Sequence, residues 1–159
     1  RGLLPLLKAL SQDPLPGKAG GHAGICDAAE TLVHLVRPGS LVFLLSDFAG
    51  VSLRDSTWLS QLAAGSELVL TLIRDPREVA APPPARYAVT DGVVTGLLDT
   101  TGRTRRDGYR QRYANHRALL EHVARRHHAH FMELGTEQPP GPALARGLLP
   151  QRERRKANL

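Results

Sequence analysis

The stretch SLVFLLSDF at residues 40–48 places six apolar residues around one Ser–Asp pair. Its apolar run does not alternate with polar residues, which is typical of a parallel-sheet strand buried on both faces. The segment ELVLTLI at residues 67–73 predicts a second fully buried strand, and HAHFMEL at residues 128–134 predicts a third. We therefore expect a parallel sheet, with Asp47 at the point where its first strand leaves the core.

Helical patterns alternate with these strands. Apolar residues recur at helical spacing over residues 3–10 and again over residues 25–36. The segment DSTWLSQLAA at residues 55–64 predicts another helix, because Asp55 is a favourable N-cap residue.

The second half of the chain continues the alternation. A long helix is expected over residues 104–127, where Thr104 and Asp107 resemble a capping box, and a short one over residues 142–149. An Asp-Gly pair between β-rich runs predicts a hairpin at residues 86–99. Strands that alternate with helices indicate an α/β fold with a mainly parallel sheet.

Length and composition fit one soluble globular domain. The chain has 159 residues, 42% of them hydrophobic, and contains no apolar run near the roughly 18 residues of a membrane span. Cys26 is the only cysteine, which excludes an internal disulfide and favours a reducing, cytoplasmic location.

Positive charge is concentrated in the segment from Arg103 to Arg126 of a chain whose net charge is +6. Only Asp107 and Glu121 oppose its arginines, and a second basic cluster lies in the tail at residues 152–159. This pattern fits a solvated face, an acidic protein partner or, less well, nucleic acid, because the arginines spread around the helix. The eight arginines are Arg103, Arg105, Arg106, Arg110, Arg112, Arg117, Arg125 and Arg126.

Polar residues follow the first two strands where ligands bind in open parallel sheets. Asp47 ends the first strand, and it has the chemistry to ligate Mg²⁺, take a proton or cap the following turn. Arg74, Asp75 and Glu78 end the second strand and are expected to form a local ion pair. No second carboxylate is expected to pair with Asp47, and no catalytic motif is present.

Five of the seven histidines lie in one segment, residues 116–130. His116 and His122 are nearly opposite in helical phase, unlike a metal-binding pair spaced i, i+4. His127 and His128 fall at the expected helix end, where the dipole favours imidazolium. We expect these histidines to be structural or solvated.

Four motifs follow one another in a fixed order: GSLVFLLSDF from residue 39, ELVLTLIRDPRE from residue 67, GLLDT from residue 96, and Leu134 with Thr136 before an Ala-Leu pair. In this order the chain resembles the von Willebrand factor A-like proteins of domain-of-unknown-function family fifty-eight. The resemblance runs from about Gly2 to Leu149. It implies a doubly wound sheet with an inserted hairpin, and genes of this family commonly lie beside those of MoxR-type AAA+ ATPases.

The resemblance also implies a metal-ion-dependent adhesion site in intact relatives, made by an Asp-x-Ser-x-Ser loop, a Thr and an Asp. Asp47 matches the last of these elements. Ala23, beside His22, stands where the Thr is expected, and no Asp-x-Ser-x-Ser loop precedes it. The resemblance thus implies that residues 1–149 are a partial domain without its N-terminal half, followed by a basic tail at residues 150–159.

The function that the resemblance implies is a noncatalytic protein-interaction module that acts with a MoxR-type ATPase in assembling or activating a client protein. The metal site is then degenerate: no cofactor is expected in this chain, and Mg²⁺ binds only with the missing half. Two alternatives remain open. One is a Rossmann-like, magnesium-dependent enzyme that uses Asp47, and the other is nucleic-acid binding through the basic helix from Arg103 to Arg126.

Overall fold

The computed structural model describes residues 4–11, 25–49, 57–90 and 92–147. The elements in chain order are α1 (Leu4–Leu10), α2 (Ile25–Leu35), β1 (Ser40–Ser46), α3 (Thr57–Gly65), β2 (Ser66–Arg74), α4 (Pro76–Val79), β3 (Arg86–Thr90), β4 (Thr95–Asp99), α5 (Arg103–Arg126), β5 (His130–Gly135) and α6 (Pro140–Gly147). Strands and helices alternate as predicted.

Three strands form a parallel sheet in the order β1–β2–β5. Its register places Leu44 of β1 beside Leu70 of β2, and Leu70 beside Phe131 of β5. Strands β3 and β4 form a separate antiparallel pair, in which Arg86 lies opposite Asp99. The α/β fold, the mainly parallel sheet and the hairpin are confirmed.

The core lies on one face of this sheet. Because side chains alternate along a strand, Leu68, Leu70 and Leu72 share that face and are almost fully buried. Helices α2, α3 and α5 pack on it, and α5 contributes residues at the helical i, i+3, i+4 spacing. The helical members of the core are Ala29, Trp58, Leu59, Leu62, Leu120, Val123 and Ala124.

The opposite face is covered less evenly. Helix α6 lies there, because Gly147 approaches Met132, which points away from the core face. On β1 the same face leaves Leu41 54% exposed and Leu45 59% exposed. The prediction that the first strand is buried on both faces is therefore wrong, whereas β2 is buried on both faces from Leu68 to Leu72.

Helix α5 begins earlier than its sequence pattern predicts. Its N-cap is Gly102, which provides no side-chain hydrogen bond, and the predicted capping box of Thr104 and Asp107 is wrong. Asp107 lies instead 3.8 Å from Arg103 and 3.9 Å from Arg110, within the first two turns. Asp55, predicted to cap α3, lies outside the described residues, as do His22, Ala23 and residues 150–159.

In the described part of the chain, no helix is both long enough and apolar enough to cross a membrane.

Candidate functional site

The carboxyl ends of β1, β2 and β5 meet at one edge of the sheet, as parallel strands require. Asp47 follows β1, and Asp75 follows β2 at the start of α4. Helix α5 passes over this edge, where His116 contacts Asp47 and Tyr109 contacts α4. The predicted position of Asp47 at a strand end is confirmed.

The Asp47 side chain is exposed and organises the turn after β1. Its Oδ1 accepts hydrogen bonds from Ser46 Oγ at 3.2 Å and from the Ala49 N–H at 3.1 Å. Its backbone carbonyl accepts a hydrogen bond from His116 Nε2 at 2.7 Å, so that nitrogen carries the proton. Of the three roles open to Asp47, the turn-capping role is therefore present in the structure.

Phe48 shows how tightly this turn is fixed. It has a φ of 52° and is only 1% exposed. A bulky residue rarely adopts the left-handed region, and the cost is of the order of 1–3 kcal/mol. Burial of the ring and the His116–Asp47 bond on the preceding residue hold the chain in this conformation.

An open cleft of about 260 Å³ lies beside Asp47. Glu78 also lines it, but no contact between the two carboxylates is present among the described residues, so the absence of a second carboxylate at pairing distance from Asp47 stays a prediction. Asp75 and Glu78 form a capping box, which fixes the direction of Glu78. The cleft is lined by Asp47, Ala49, Glu78, Tyr109, Arg112, Tyr113 and His116.

The sequence predicted a local ion pair of Arg74 with Asp75 and Glu78. This prediction is wrong, because Arg74 pairs with Glu133 and Glu137 instead. Asp75 accepts a hydrogen bond from the Arg77 N–H at 2.8 Å, and Glu78 accepts one from the Asp75 N–H at 3.1 Å. Both carboxylates cap the short helix α4, which leaves Arg74 to reach across to Glu133 of β5.

Glu133 is the centre of a polar network below the cleft. Its carboxylate accepts from Tyr113 OH and from Arg117 Nε, both at 2.7 Å, and lies 2.9 Å from Arg74 Nε. Burial raises the pKa of Glu133, but the hydrogen bonds from Arg117 and Tyr113 and the two guanidinium charges outweigh it, so the net pKa is lowered. Burial and the Glu133 carboxylate raise the pKa of Tyr113 above its usual range. Glu133 is thus held ionised and Tyr113 neutral.

The described residues do not fit a Mg²⁺ site at Asp47. This ion takes six oxygen ligands in octahedral geometry, and one or two carboxylates hold it weakly unless other oxygens join them. Asp47 Oδ1 is already bonded to Ser46 and Ala49, and Glu78 Oε2 to the Asp75 backbone. Within the described ranges, no three His, Cys, Asp or Glu residues are grouped to hold a metal ion.

Most arginines of α5 have partners. Arg105 pairs with Asp99 at 2.6 Å, Arg125 pairs with Glu121 at 3.1 Å, and Arg106 donates to the carbonyls of Thr100 and Thr101. Arg112 and Arg126 have no carboxylate within ion-pair distance among the described residues, and Arg106 has carbonyl partners only. Most side chains of the basic segment thus have polar partners, but its positive charge is only partly neutralised by Asp99, Asp107, Glu121 and Glu133.

His127, at the end of α5, is buried against α3. Its Nδ1 lies 3.1 Å from Ser60 Oγ, and its Nε2 has no hydrogen-bond partner among the described residues. Burial, followed by the charges of Arg126 and His128, lowers the pKa of His127. The burial of His127 and its contact with Ser60 fit the expected structural role, and burial opposes the charged form that the helix dipole favours.

Comparisons of this chain with protein-family models, with curated proteins and with solved structures gave no match. The resemblance to a von Willebrand factor A-like family remains a prediction from the motifs.

Proposed function

We propose that this chain is a noncatalytic protein-interaction module that acts with a MoxR-type AAA+ ATPase in assembling or activating a client protein. The fold proposed with it is the C-terminal part of a doubly wound von Willebrand factor A-like sheet over residues 1–149, with the hairpin as an insertion. The order of the four motifs is the main argument for this proposal. The parallel order β1–β2–β5 and the position of Asp47 at the carboxyl end of β1 agree with it.

The observation that carries the interaction role is the open cleft at Asp47. Its polar groups are mostly fixed by structural hydrogen bonds: Asp47 organises a turn, Glu78 caps α4, and His116 donates to a backbone carbonyl. A general base has to be free and within reach of a substrate proton. These side chains instead form a rigid polar surface, which suits recognition of another protein.

Binding to a MoxR-type ATPase from the same organism tests this function. In biolayer interferometry with ATP present, we expect micromolar affinity, which corresponds to about −8 kcal/mol. Asp47→Asn keeps the size of the side chain but removes its charge, and we expect it to weaken binding about tenfold. Asp107→Asn removes an exposed carboxylate of α5 that does not line the cleft, and it serves as the matched control. Absence of binding in every nucleotide state would reject the proposal.

The magnesium-dependent enzyme is the second candidate, because Asp47 and Glu78 line the same cleft. The poor fit of the described residues to Mg²⁺ makes it the weaker one. Calorimetric titration separates the two functions: an interaction module should bind Mg²⁺ or Mn²⁺ no tighter than millimolar, about −4 kcal/mol. Micromolar binding that is lost in Asp47→Ala would favour the enzyme.

A further inference from the structure

A second concave surface lies between α5 and the stem of the hairpin. It encloses about 410 Å³, within the range of roughly 300–1,000 Å³ typical of ligand sites. Leu98 of β4 supplies an apolar part of its wall, and Tyr109 and Arg112 of α5 separate it from the cleft at Asp47. We call this surface the hairpin groove.

The hairpin groove carries an excess of positive charge. Its acidic residue, Asp99, is bonded to the N–H and hydroxyl of Thr101 and lies 2.6 Å from Arg105, with Arg86 at 3.9 Å. The Thr101 bonds, followed by the charges of Arg105 and Arg86, outweigh desolvation and lower the pKa of Asp99. Two guanidinium groups thus compensate one carboxylate, while Arg112 has no carboxylate within ion-pair distance in the described part of the chain.

Gly108 keeps the floor of the groove open. It lies within α5, where a glycine costs about 0.5–1 kcal/mol relative to alanine. A Cβ at this position would meet no atom within 4 Å, so no packing contact requires glycine. Without a side chain, Gly108 exposes the helix backbone to close approach by a ligand, one turn before Arg112.

We infer that the hairpin groove binds an acidic peptide segment of a protein partner, with an Asp or Glu carboxylate on Arg112 and an apolar side chain against Leu98. A carboxylate suits Arg112 because guanidinium and carboxylate form two parallel hydrogen bonds. Nucleic acid fits less well, since Tyr109 is held by a hydrogen bond of its hydroxyl to the Arg77 carbonyl and is therefore not free to stack on a base. This inference rests on the proposed role as an interaction module and names the chemistry of its partner.

Fluorescence anisotropy with a labelled octapeptide of alternating Glu and Leu tests the groove. We expect saturable binding that is lost when Gln replaces every Glu in the peptide. Arg112→Gln should weaken binding about fivefold or more, which corresponds to about 1 kcal/mol. Arg110→Gln removes another exposed arginine of the same helix, outside the groove lining, and should change the affinity less than about twofold.

Gly108→Leu tests the shape of the groove independently of charge. Leucine is a better helix former than glycine, so the variant should melt at or above the temperature of the native chain. Its side chain fills the groove, and we expect peptide affinity to fall as far as in Arg112→Gln. Retained affinity in a folded Gly108→Leu variant would overturn the inference.

Two other results would also overturn it: equal loss in Arg110→Gln and Arg112→Gln, or competition by a single-stranded oligonucleotide at lower concentration than the free peptide. The assay contains no ATPase, so its outcome is separate from that of the proposed function. ATPase binding that depends on Asp47 but not on Arg112 would retain the proposed function and reject this site.

Discussion

Glu133 joins three elements through one carboxylate: its own strand β5, Arg74 of β2, and Tyr113 and Arg117 of α5. Its side chain is 25% exposed, so the network lies between the surface and the interior. Pairs in such positions are costly to break on one side, because the remaining charge keeps its desolvation penalty. Glu133 therefore fixes α5 against the edge of the sheet that carries the cleft.

Replacement of Glu133 by Gln should destabilise the fold by about 1–3 kcal/mol at neutral pH. The folded-state pKa of Glu133 is lowered, so the unfolded chain binds this proton first as the pH falls. The stabilisation is fully present above the unfolded pKa of about 4.3 and is lost as the pH falls through the lowered folded pKa. Urea unfolding should show a difference in the free energy of unfolding between the native chain and the variant at pH 7, and this difference should become smaller near pH 3.

Glu137→Gln is the matched control for this measurement. Glu137 is more exposed and has one ion pair, with Arg74 at 3.1 Å, and a long hydrogen bond from Gln138 at 3.5 Å, so its loss should change the free energy of unfolding by less than about 0.5 kcal/mol. If the difference in the free energy of unfolding between the native chain and Glu133→Gln stays constant from pH 7 to low pH, the role of the ionised carboxylate is contradicted.

His127 should produce a second pH dependence at higher pH. Its folded-state pKa is lowered by burial, so stability is fully present above the unfolded pKa of about 6.5 and falls as the pH drops through the folded value. His127→Gln should remove this decline below the unfolded pKa of about 6.5, as measured by urea unfolding. His122→Gln, at an exposed position of the same helix, should retain it. A native chain whose stability is flat over this range would disprove the assignment.

At the scale of elements, the sequence was most informative where packing and helical period agree. Leu120, Val123 and Ala124 recur at helical spacing within the predicted helix and are buried in the core. The start of the same helix was not predictable from local pattern. The helix starts at Arg103. Arg106, in its first turn, donates to the carbonyls of Thr100 and Thr101 just before the helix.

Whether a strand is buried on both faces likewise cannot be predicted from its own residues alone. The runs in β1 and β2 look alike in sequence, but among the described residues β2 lies between two strands whereas β1 lies at an edge of the sheet. The candidate site was predicted in the same partial way. The position of Asp47 follows from its strand, whereas the presence of Glu78 in the cleft lining and the pairing of Arg74 with Glu133 depend on how α4 and α5 pack.

Alanine substitutions at two glycines should have opposite effects. Gly108→Ala adds a Cβ in open space within a helix and should stabilise the fold by about 0.5–1 kcal/mol. Gly39 also has open space around its Cα, but its φ is +81°, so Gly39→Ala should destabilise the fold by about 1 kcal/mol. Urea midpoints of the two variants on either side of the native value would confirm both, and a shift in the same direction would contradict the helix argument.

For the whole molecule, the main asymmetry is between the two faces of the sheet. Three helices pack on the core face, whereas α6 covers the other face near β5. On that face, Leu41 and Leu45 of β1 stay more than half exposed. β1 is also an edge strand, and its outer side has no strand partner among the described residues.

We expect the 159-residue chain to self-associate through β1. Natural edge strands are protected by charged residues, prolines or bulges, and residues 40–46 contain neither charge nor proline. The opposite edge strand differs, because β5 carries Glu133 within its length. Pairing of β1 with another strand would satisfy its outer N–H and C=O groups and bury Leu41 and Leu45, which is favourable by about 25 cal/mol per Å² of apolar surface.

Leu45→Lys tests this expectation, because the residue is already 59% exposed and a lysine there should cost the folded monomer little. Sedimentation velocity at micromolar and near-millimolar concentrations should show association in the native chain and a shift to monomer in the variant. Val89→Lys changes another exposed apolar residue, in the hairpin, and should leave association unchanged. If the native chain is monomeric throughout, or if Leu45→Lys associates as strongly as Val89→Lys, the edge of β1 does not recruit a strand and the sheet is stable with this edge exposed to solvent.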